Sequence, residues 1–74
     1  MKLLRTRERP VVNGRSYVVA LDDNKNGWLC ILNSEKRLVP LFGPVVKNQK
    51  RFDTVNKTNL PYIEATLNAL RRLH

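Results

Sequence analysis

The stretch NGWLCILNSEKRLVPLFG, residues 26–43, decides the fold of this 74-residue chain. Two apolar segments, 28–32 and 38–42, lie on either side of a polar bend at 33–36. Short apolar runs around a cluster of turn-forming residues are typical of a β-hairpin. Pro40 has no amide hydrogen to donate to a ladder, so we expect its strand to lie at a sheet edge or to be bulged.

A second hairpin is predicted before this stretch, with Asn13 and Gly14 at its turn. Both residue types tolerate the positive φ angles of a two-residue turn, and β-branched residues lie on each side. The strand 15–21 and the later strand 28–32 each place apolar side chains on both faces. The loop 22–27 between them is dense in Asp, Asn and Gly, which favour turns.

One helix is predicted, from residue 60 to about residue 73. Thr58 or Asn59 fits its N-cap, and Pro61 fits its first turn. Apolar side chains recur at spacings of three and four and form one stripe, made of Leu60, Ile63, Leu67 and Leu70. The sequence therefore predicts an α+β fold: a small antiparallel β-sheet of three to four strands, followed by one C-terminal helix packed on it.

One helix covers only one face of the sheet, so the second apolar face needs another cover. The sheet curls into a partial barrel on its own interior, or pairs with a second copy, or presents this face to a ligand. Trp28 is expected in the core, and Tyr17, beside Arg15, is expected to reach solvent more readily. We also expect a homodimer in preference to a monomer, because Val39 and Leu41 lie on a strand that offers an exposed edge.

We predict two parts in the chain: a flexible basic N-terminal arm at residues 1–9 and a single small domain at residues 10–74. A core this small commonly needs a disulfide, a metal or a partner subunit to support it. Cys30 is the only cysteine and His74 the only histidine, too few for a disulfide or for the three or four ligands of a zinc site. No metal and no cofactor are therefore expected.

The N-terminal residues have a basic start but only two consecutive leucines, whereas a signal peptide needs an apolar stretch of about seven to fifteen residues. No apolar run in the chain exceeds five residues, against about twenty in a membrane span. We therefore expect a soluble, cytoplasmic protein with no membrane partner, which agrees with the single thiol.

The sequence contains few residues in arrangements typical of an enzyme active site. Asp22 and Asp23 are neighbours in a turn, where adjacent side chains point apart and acidic residues usually serve the turn itself. Cys30 lies among apolar neighbours, where a thiol is normally inert. The glycines are scattered and form no phosphate-binding loop. We expect neither catalytic residues nor a small-molecule substrate.

Positive charge is the clearest feature of the composition. Fourteen Lys and Arg stand against six Asp and Glu, which gives a net charge of +8 and a pI near 10.4. Residues 1–15 and residues 35–52 each carry five cations and one acid, whereas residues 16–34 are slightly acidic. Such clustering is expected of a surface that binds a polyanion, although a basic pI also serves solubility alone.

The candidate nucleic-acid-binding residues follow the predicted elements. Three arginines alternate along the N-terminal arm and suit a phosphate backbone or a narrow minor groove; the alternative is a solvated terminus. Two further cations lie at the tip of the 26–43 hairpin, a two-stranded ribbon of a size that fits the major groove. The full set is Arg5, Arg7, Arg9, Arg15, Lys36, Arg37, Lys47, Lys50 and Arg51.

In layout, a three-stranded sheet followed by a C-terminal helix resembles the DNA-binding domains of phage integrases and of plant AP2 factors. Residues 26–43 are similar to the hairpin of such domains, and KRFDT, residues 50–54, is similar to their strand-to-helix passage. The resemblance implies a sheet that lies in the major groove. This chain departs from the pattern, because those domains expose polar and cationic side chains on the DNA face, whereas these strands are apolar on both faces.

We therefore expect a small, basic, non-enzymatic nucleic-acid-binding protein of accessory or regulatory type, with duplex DNA favoured over RNA. Its size and charge match those of accessory proteins carried by phages and plasmids. The alternative is a protein-interaction module, such as an inhibitor or an assembly factor. In that case an acidic protein partner binds the cations, and an apolar patch of the partner covers the sheet face.

Overall fold

The structure, a computed structural model, describes residues 2–46 and 60–73. Its elements are β1 (Leu4–Arg5), β2 (Val11–Val12), β3 (Arg15–Ser16), β4 (Val18–Leu21), β5 (Gly27–Leu32), β6 (Leu38–Val45) and α1 (Leu60–Arg72). An antiparallel sheet has the strand order β1, β4, β5, β6, and β2 and β3 form a separate two-stranded ladder. The predicted α+β class is confirmed, and the described strands do not close into a barrel. Among the described residues, no helix combines the length and the apolar character that a membrane crossing takes.

Strands β1 to β4 form one long hairpin, with its turn at Asn13 and Gly14. Both turn residues have the positive φ angles that a two-residue turn needs, 53° and 79°. Tyr17 N donates to Pro10 O at 2.9 Å, which joins the β2–β3 ladder to the pairing of β1 with β4. The hairpin predicted at this turn is confirmed.

The N-terminal segment lies along β4, and a bulge at Arg7 interrupts the pairing. Thr6 N donates to Val19 O at 2.9 Å, and Val19 N donates to Glu8 O at 3.0 Å. The two partners of Val19 are two residues apart, so Arg7 is left out of the ladder. The sequence did not predict β1, which lies within the predicted arm. The domain boundary after residue 9 stays a prediction. In the structure, backbone hydrogen bonds hold this segment to the sheet.

Strand β6 forms the second edge of the described sheet and carries Pro40. Pro40 pairs with Cys30, and the next pair along the ladder is Leu29 with Phe42. Leu41 is therefore an extra residue in β6 and forms a bulge. A proline is tolerated on such a strand because one side of an edge strand has no partner in its sheet. Both expectations for this strand, an edge position and a bulge, are confirmed.

The main core lies between the sheet and α1. Val19 of β4 and Leu29 of β5 have no exposed surface and pack in one cluster with Ala69 of the helix. Val12 and Tyr17 of the hairpin complete this cluster. A second cluster extends the core toward the C-terminus of the helix, with Val45, Leu67 and Leu70.

Gly27 allows α1 to approach β5 closely. A Cβ atom at this position would lie 2.8 Å from Thr66 Cγ2 and 3.1 Å from Leu70 Cδ1, closer than carbon atoms pack. Thr66 is fully buried and donates its hydroxyl to Tyr62 O at 2.7 Å, which satisfies its polar group inside the core. The helix therefore rests directly on the backbone of the strand at this point.

The opposite face of the sheet is also apolar, as predicted. Val18, Ala20 and Cys30 lie on it, because they alternate with Val19 and Leu29 along the strands. All three are buried within the single chain. The centre of this face is therefore not open to a ligand or to a second copy. The homodimer was also predicted from the exposed edge of the strand that carries Val39 and Leu41, and it stays a prediction.

The loop between β4 and β5 is organised by the carboxylate of Asp22. Its Oδ1 accepts hydrogen bonds from the backbone N of Asn24 at 2.9 Å and of Asn26 at 3.0 Å. Its Oδ2 accepts a hydrogen bond from the indole Nε1 of Trp28 at 3.0 Å. The Trp28 bond and then the backbone bonds favour the charged carboxylate, and they hold the pKa of Asp22 below its ordinary value of 3.8.

We expect Leu29→Ala to lower the free energy of unfolding by about 2–5 kcal/mol, because it leaves a cavity at the centre of the core. Leu4→Ala is the control, since Leu4 is 61% exposed and its truncation should change stability by less than about 0.5 kcal/mol. Urea denaturation followed by the fluorescence of Trp28 measures both variants. Equal losses would contradict this description of the core.

Stability should fall in acid as Asp22 becomes protonated. A carboxyl whose pKa is lowered by folding contributes stability above its unfolded pKa, and this stability is lost as the pH falls through the lower folded pKa. Asp22→Asn keeps an oxygen acceptor but does not titrate, so its stability should depend less on pH below 3.8. Denaturation at a series of pH values measures the difference. Parallel curves for the two proteins would exclude this role of Asp22.

Candidate functional site

Four predicted nucleic-acid-binding residues gather at one end of the sheet, which we call the basic end. Strand β4 begins beside the end of β5, because Val18 pairs with Cys30. The hydrogen bond from Tyr17 N to Pro10 O places Arg9 beside the start of β4. The loop after β5 lies at this same end, since β5 runs antiparallel to β4. The basic end consists of Arg9, Arg15, Lys36 and Arg37, all of them exposed.

The remaining predicted residues are not part of this cluster. Arg5 and Arg7 are exposed and lie on the segment that runs along β4. Arg5 pairs with Ala20 toward the far end of β4, so these two arginines extend the line of cations along the sheet edge. The last three predicted residues fall outside the described part of the chain; they are Lys47, Lys50 and Arg51.

The acid between the arginines of the N-terminal segment is paired with the helix. Glu8 Oε1 accepts a hydrogen bond from Arg72 Nε at 2.6 Å, and the Glu8 side chain is only 20% exposed. The two residues are 64 positions apart, so no local sequence pattern could have shown the pair. Because Arg72 balances Glu8, this acid does not offset the positive charge of the arginines on either side.

The β5–β6 loop presents Lys36 and Arg37 on an ordered turn. Asn33 Oδ1 accepts hydrogen bonds from the backbone N of Glu35 and of Arg37, both at 2.9 Å. Lys36 N donates to Asn33 O, also at 2.9 Å. Glu35 Oε2 lies 3.4 Å from Arg37 Nε, but both side chains are largely exposed, so water screens the pair. With two cations against one acid, the loop has a net positive charge.

Arg15 is positioned by an aromatic pair. Its guanidinium carbon lies 5.7 Å from the centre of the Tyr17 ring, within the range of a cation–π interaction. Tyr17 in turn meets Tyr62 of α1 edge-on, with ring centres 6.0 Å apart and planes at 85°. The expectation that Tyr17 reaches solvent more readily than Trp28 is wrong: Tyr17 is buried against the helix, whereas Trp28 is half-buried.

A small aromatic cleft opens beside Arg15. Its volume is about 240 Å³, and it is lined by Tyr17, Leu41, Phe42 and Tyr62. The rings of Phe42 and Tyr62 are tilted by 34°, with their centres 5.8 Å apart. Leu41 is 48% exposed at the bulge of β6. The cleft combines the hairpin, β6 and α1, which are distant in the chain, so no motif in the sequence signalled it.

The opposite end of the sheet holds a larger groove, which we call the leucine groove. Its volume is about 590 Å³, and four leucines from the N-terminal strand, β4 and the end of α1 share its lining with two lysines and two aspartates. Its charges therefore balance, unlike those of the basic end. The lining residues are Lys2, Leu4, Leu21, Asp22, Asp23, Lys25, Leu70 and Leu73.

The described residues offer charge and aromatic rings rather than reactive groups. Within residues 2–46 and 60–73, no group of three or more His, Cys, Asp or Glu side chains is placed to hold a metal ion. Cys30 is buried, and burial raises the pKa of its thiol. Asp22 is engaged by the β4–β5 loop and by Trp28.

No protein-family model, curated protein or solved structure matches this chain. The layout that resembles integrase and AP2 domains is present as an order of elements, strands followed by a helix. The described sheet has four strands, and the centre of its face away from the helix is buried. The features of the described residues that bear on function are therefore the charges and shapes of the two ends of the sheet.

Lys25 and Lys36 occupy equivalent positions in two loops of the same construction. Each lysine is the fourth residue of its loop and has a φ angle of 62°. In each loop, the first side chain accepts two backbone N–H groups. The left-handed conformation costs a residue with a side chain about 1–2 kcal/mol. Lys36 belongs to the basic end and Lys25 to the leucine groove, so the two positions form a matched pair.

Lys25→Gly and Lys36→Gly should each raise the free energy of unfolding, by up to about 1 kcal/mol. Glycine relieves the left-handed strain, but the greater freedom of the unfolded chain reduces the gain in the free energy of unfolding by about 0.5–1 kcal/mol. Urea denaturation measures both variants. A loss of stability in either would show that the lysine side chain makes contacts that outweigh the strain.

Proposed function

We propose that this protein is a small, non-enzymatic nucleic-acid-binding protein of accessory or regulatory type, and that its basic end binds the phosphate backbone of duplex DNA. The observation that supports this is the gathering of Arg9, Arg15, Lys36 and Arg37 at one end of the sheet. The phage or plasmid context and the cytoplasmic location expected from the sequence belong to the same proposal.

The local structure suits phosphate binding. Three of the four cations are arginines, whose planar guanidinium groups match two phosphate oxygens at once. Arg15 is held over the Tyr17 ring, and Lys36 and Arg37 lie on a loop fixed by Asn33. The backbone of the Lys36–Arg37 turn is already ordered by Asn33, so binding there costs little further backbone freedom.

The β5–β6 hairpin supports contact through its tip. A two-stranded β-ribbon fits the major groove, which is about 12 Å wide in B-DNA. The resemblance to integrase and AP2 domains implied contact through the sheet face, but Ala20 and Cys30 at the centre of the free face are fully buried. We therefore place the contact at the end of the sheet, where the hairpin tip and the neighbouring arginines are exposed.

The alternative function, a protein-interaction module with an acidic partner, uses the same cations. The leucine groove favours it, because Leu4 and Leu73 are exposed and such apolar surface commonly marks an interaction site. The balanced charges of the groove, however, give no preference for an acidic partner there. The concentration of cations at the other end favours a polyanion.

Binding to labelled duplex DNA of random sequence should weaken steeply with salt. Each neutralised phosphate contributes about −0.9 to the slope of log K against log salt, so about four to six contacts give roughly −3.6 to −5.4. Fluorescence anisotropy at several salt concentrations measures this slope. An absence of binding at about 50 mM salt would overturn the proposal and favour the acidic protein partner.

Variants of the two matched lysines test which end of the molecule binds DNA. Lys36→Gly should flatten the salt slope by about one unit, whereas Lys25→Gly should leave it nearly unchanged. Both variants lose one positive charge from loops of the same construction, and they differ in the end of the sheet that is affected. Equal effects would mean that the net charge of the whole chain, rather than the basic end, determines affinity.

A further inference from the structure

The aromatic cleft lies beside Arg15, one of the cations proposed to bind DNA. Arg15 is exposed and lies over Tyr17, one of the rings that line the cleft. Aromatic rings next to a positive charge are the combination by which proteins bind unpaired bases. We propose that this cleft holds one unpaired nucleobase of a nucleic acid bound at the basic end, an inference that rests on the proposed function.

The walls of the cleft suit a flat, partly apolar ligand. Phe42 and Tyr62 are half-buried, so each ring keeps some accessible surface. Their planes are tilted by 34°, and the two rings line the cleft together with Tyr17 and Leu41. Leu41, the extra residue of the β6 bulge, also lines the cleft and is 48% exposed. An exposed leucine beside aromatic rings gains contacts when a base covers it.

The rim of the cleft carries hydrogen-bonding groups. Asn13 Nδ2 donates to the Tyr62 hydroxyl oxygen at 3.2 Å, which places both groups at the side facing the hairpin turn. An amide nitrogen has two donor hydrogens, and a phenol donates one of its own. Base edges carry the matching acceptors, so the rim can hold a base in its plane while the rings contact its face.

Charge identifies the occupant as part of a nucleic acid. The four cations of the basic end attract a polyanion and disfavour a basic partner. A base in the cleft would bring its own phosphate close to Arg15, which lies over the Tyr17 ring. The apolar side chain of a protein partner would fill the cleft but would leave these cations without a ligand.

Three DNA probes test the proposal: a blunt duplex, the same duplex with a short thymidine overhang, and the same duplex with an abasic overhang of equal length. The two overhangs carry the same phosphates, so the difference between them measures the contribution of the bases alone. We expect the thymidine overhang to bind about five- to hundredfold more tightly than the abasic one. Equal affinities would overturn the inference.

A pair of exposed apolar residues supplies the matched variants. Leu41→Ser should lower the ratio of the two overhang affinities severalfold, because it removes one apolar wall of the cleft and leaves the aromatic rings. Val11→Ser is the control: Val11 is 66% exposed and does not line the cleft, so the ratio should stay as in the original protein. An unchanged ratio in Leu41→Ser, with an unchanged melting temperature, would also count against the inference.

The two levels of failure are distinguishable. If none of the three probes binds, the proposed function is wrong and the inference falls with it. If the blunt duplex binds and the two overhangs are equal, the basic end binds DNA and the cleft holds no base. If the thymidine overhang binds more tightly than the abasic overhang, the result supports both the proposed function and the inference.

Discussion

The contact between α1 and the backbone of β5 at Gly27 is the constraint on which the rest of the structure depends. A Cβ at Gly27 would lie 2.8 Å from the Thr66 side chain and 3.1 Å from that of Leu70, so a larger residue would displace these side chains from their packing on the strand. Ala69, also on α1, has no exposed surface and packs in the cluster that contains Leu29. These two small residues let a thirteen-residue helix cover the sheet closely enough to build a core in a short chain.

The same contact determines which helix residues lie at each end of the sheet. The helix lies with Tyr62 against the hairpin and Leu70 against the far end of the sheet, so each sheet end acquires a different surface. Tyr62 completes the aromatic cleft beside Arg15, whereas Leu70 and Leu73 complete the leucine groove. The charges of the described residues are unevenly distributed, because the two aspartates of the β4–β5 loop line the leucine groove and not the basic end.

Local patterns predicted most of the fold. The Asn13–Gly14 turn, the edge position of the strand with Pro40 and the helix from residue 60 all depend on features within a few residues. Strand β1 was missed because it has only two residues and is held by backbone pairing, which leaves no alternation to detect. The bulge at Arg7 was missed because a register depends on both strands at once. The cations were named individually, but their shared end and the aromatic cleft follow from that register.

Backbone strain at the two lysines does not by itself indicate function. Lys25 and Lys36 have the same φ angle in the same kind of loop, so the left-handed conformation follows from the loop geometry and not from a ligand. Their surroundings distinguish them: Lys25 lines the leucine groove with Asp22 and Asp23, whereas Lys36 lies between Glu35 and Arg37 on the loop at the basic end. The leucine groove carries two lysines and two aspartates, whereas the basic end carries three arginines and Lys36, so an external anion is attracted more strongly to the basic end. The difference in charge, rather than the shared strain, is therefore what favours a polyanion at the basic end.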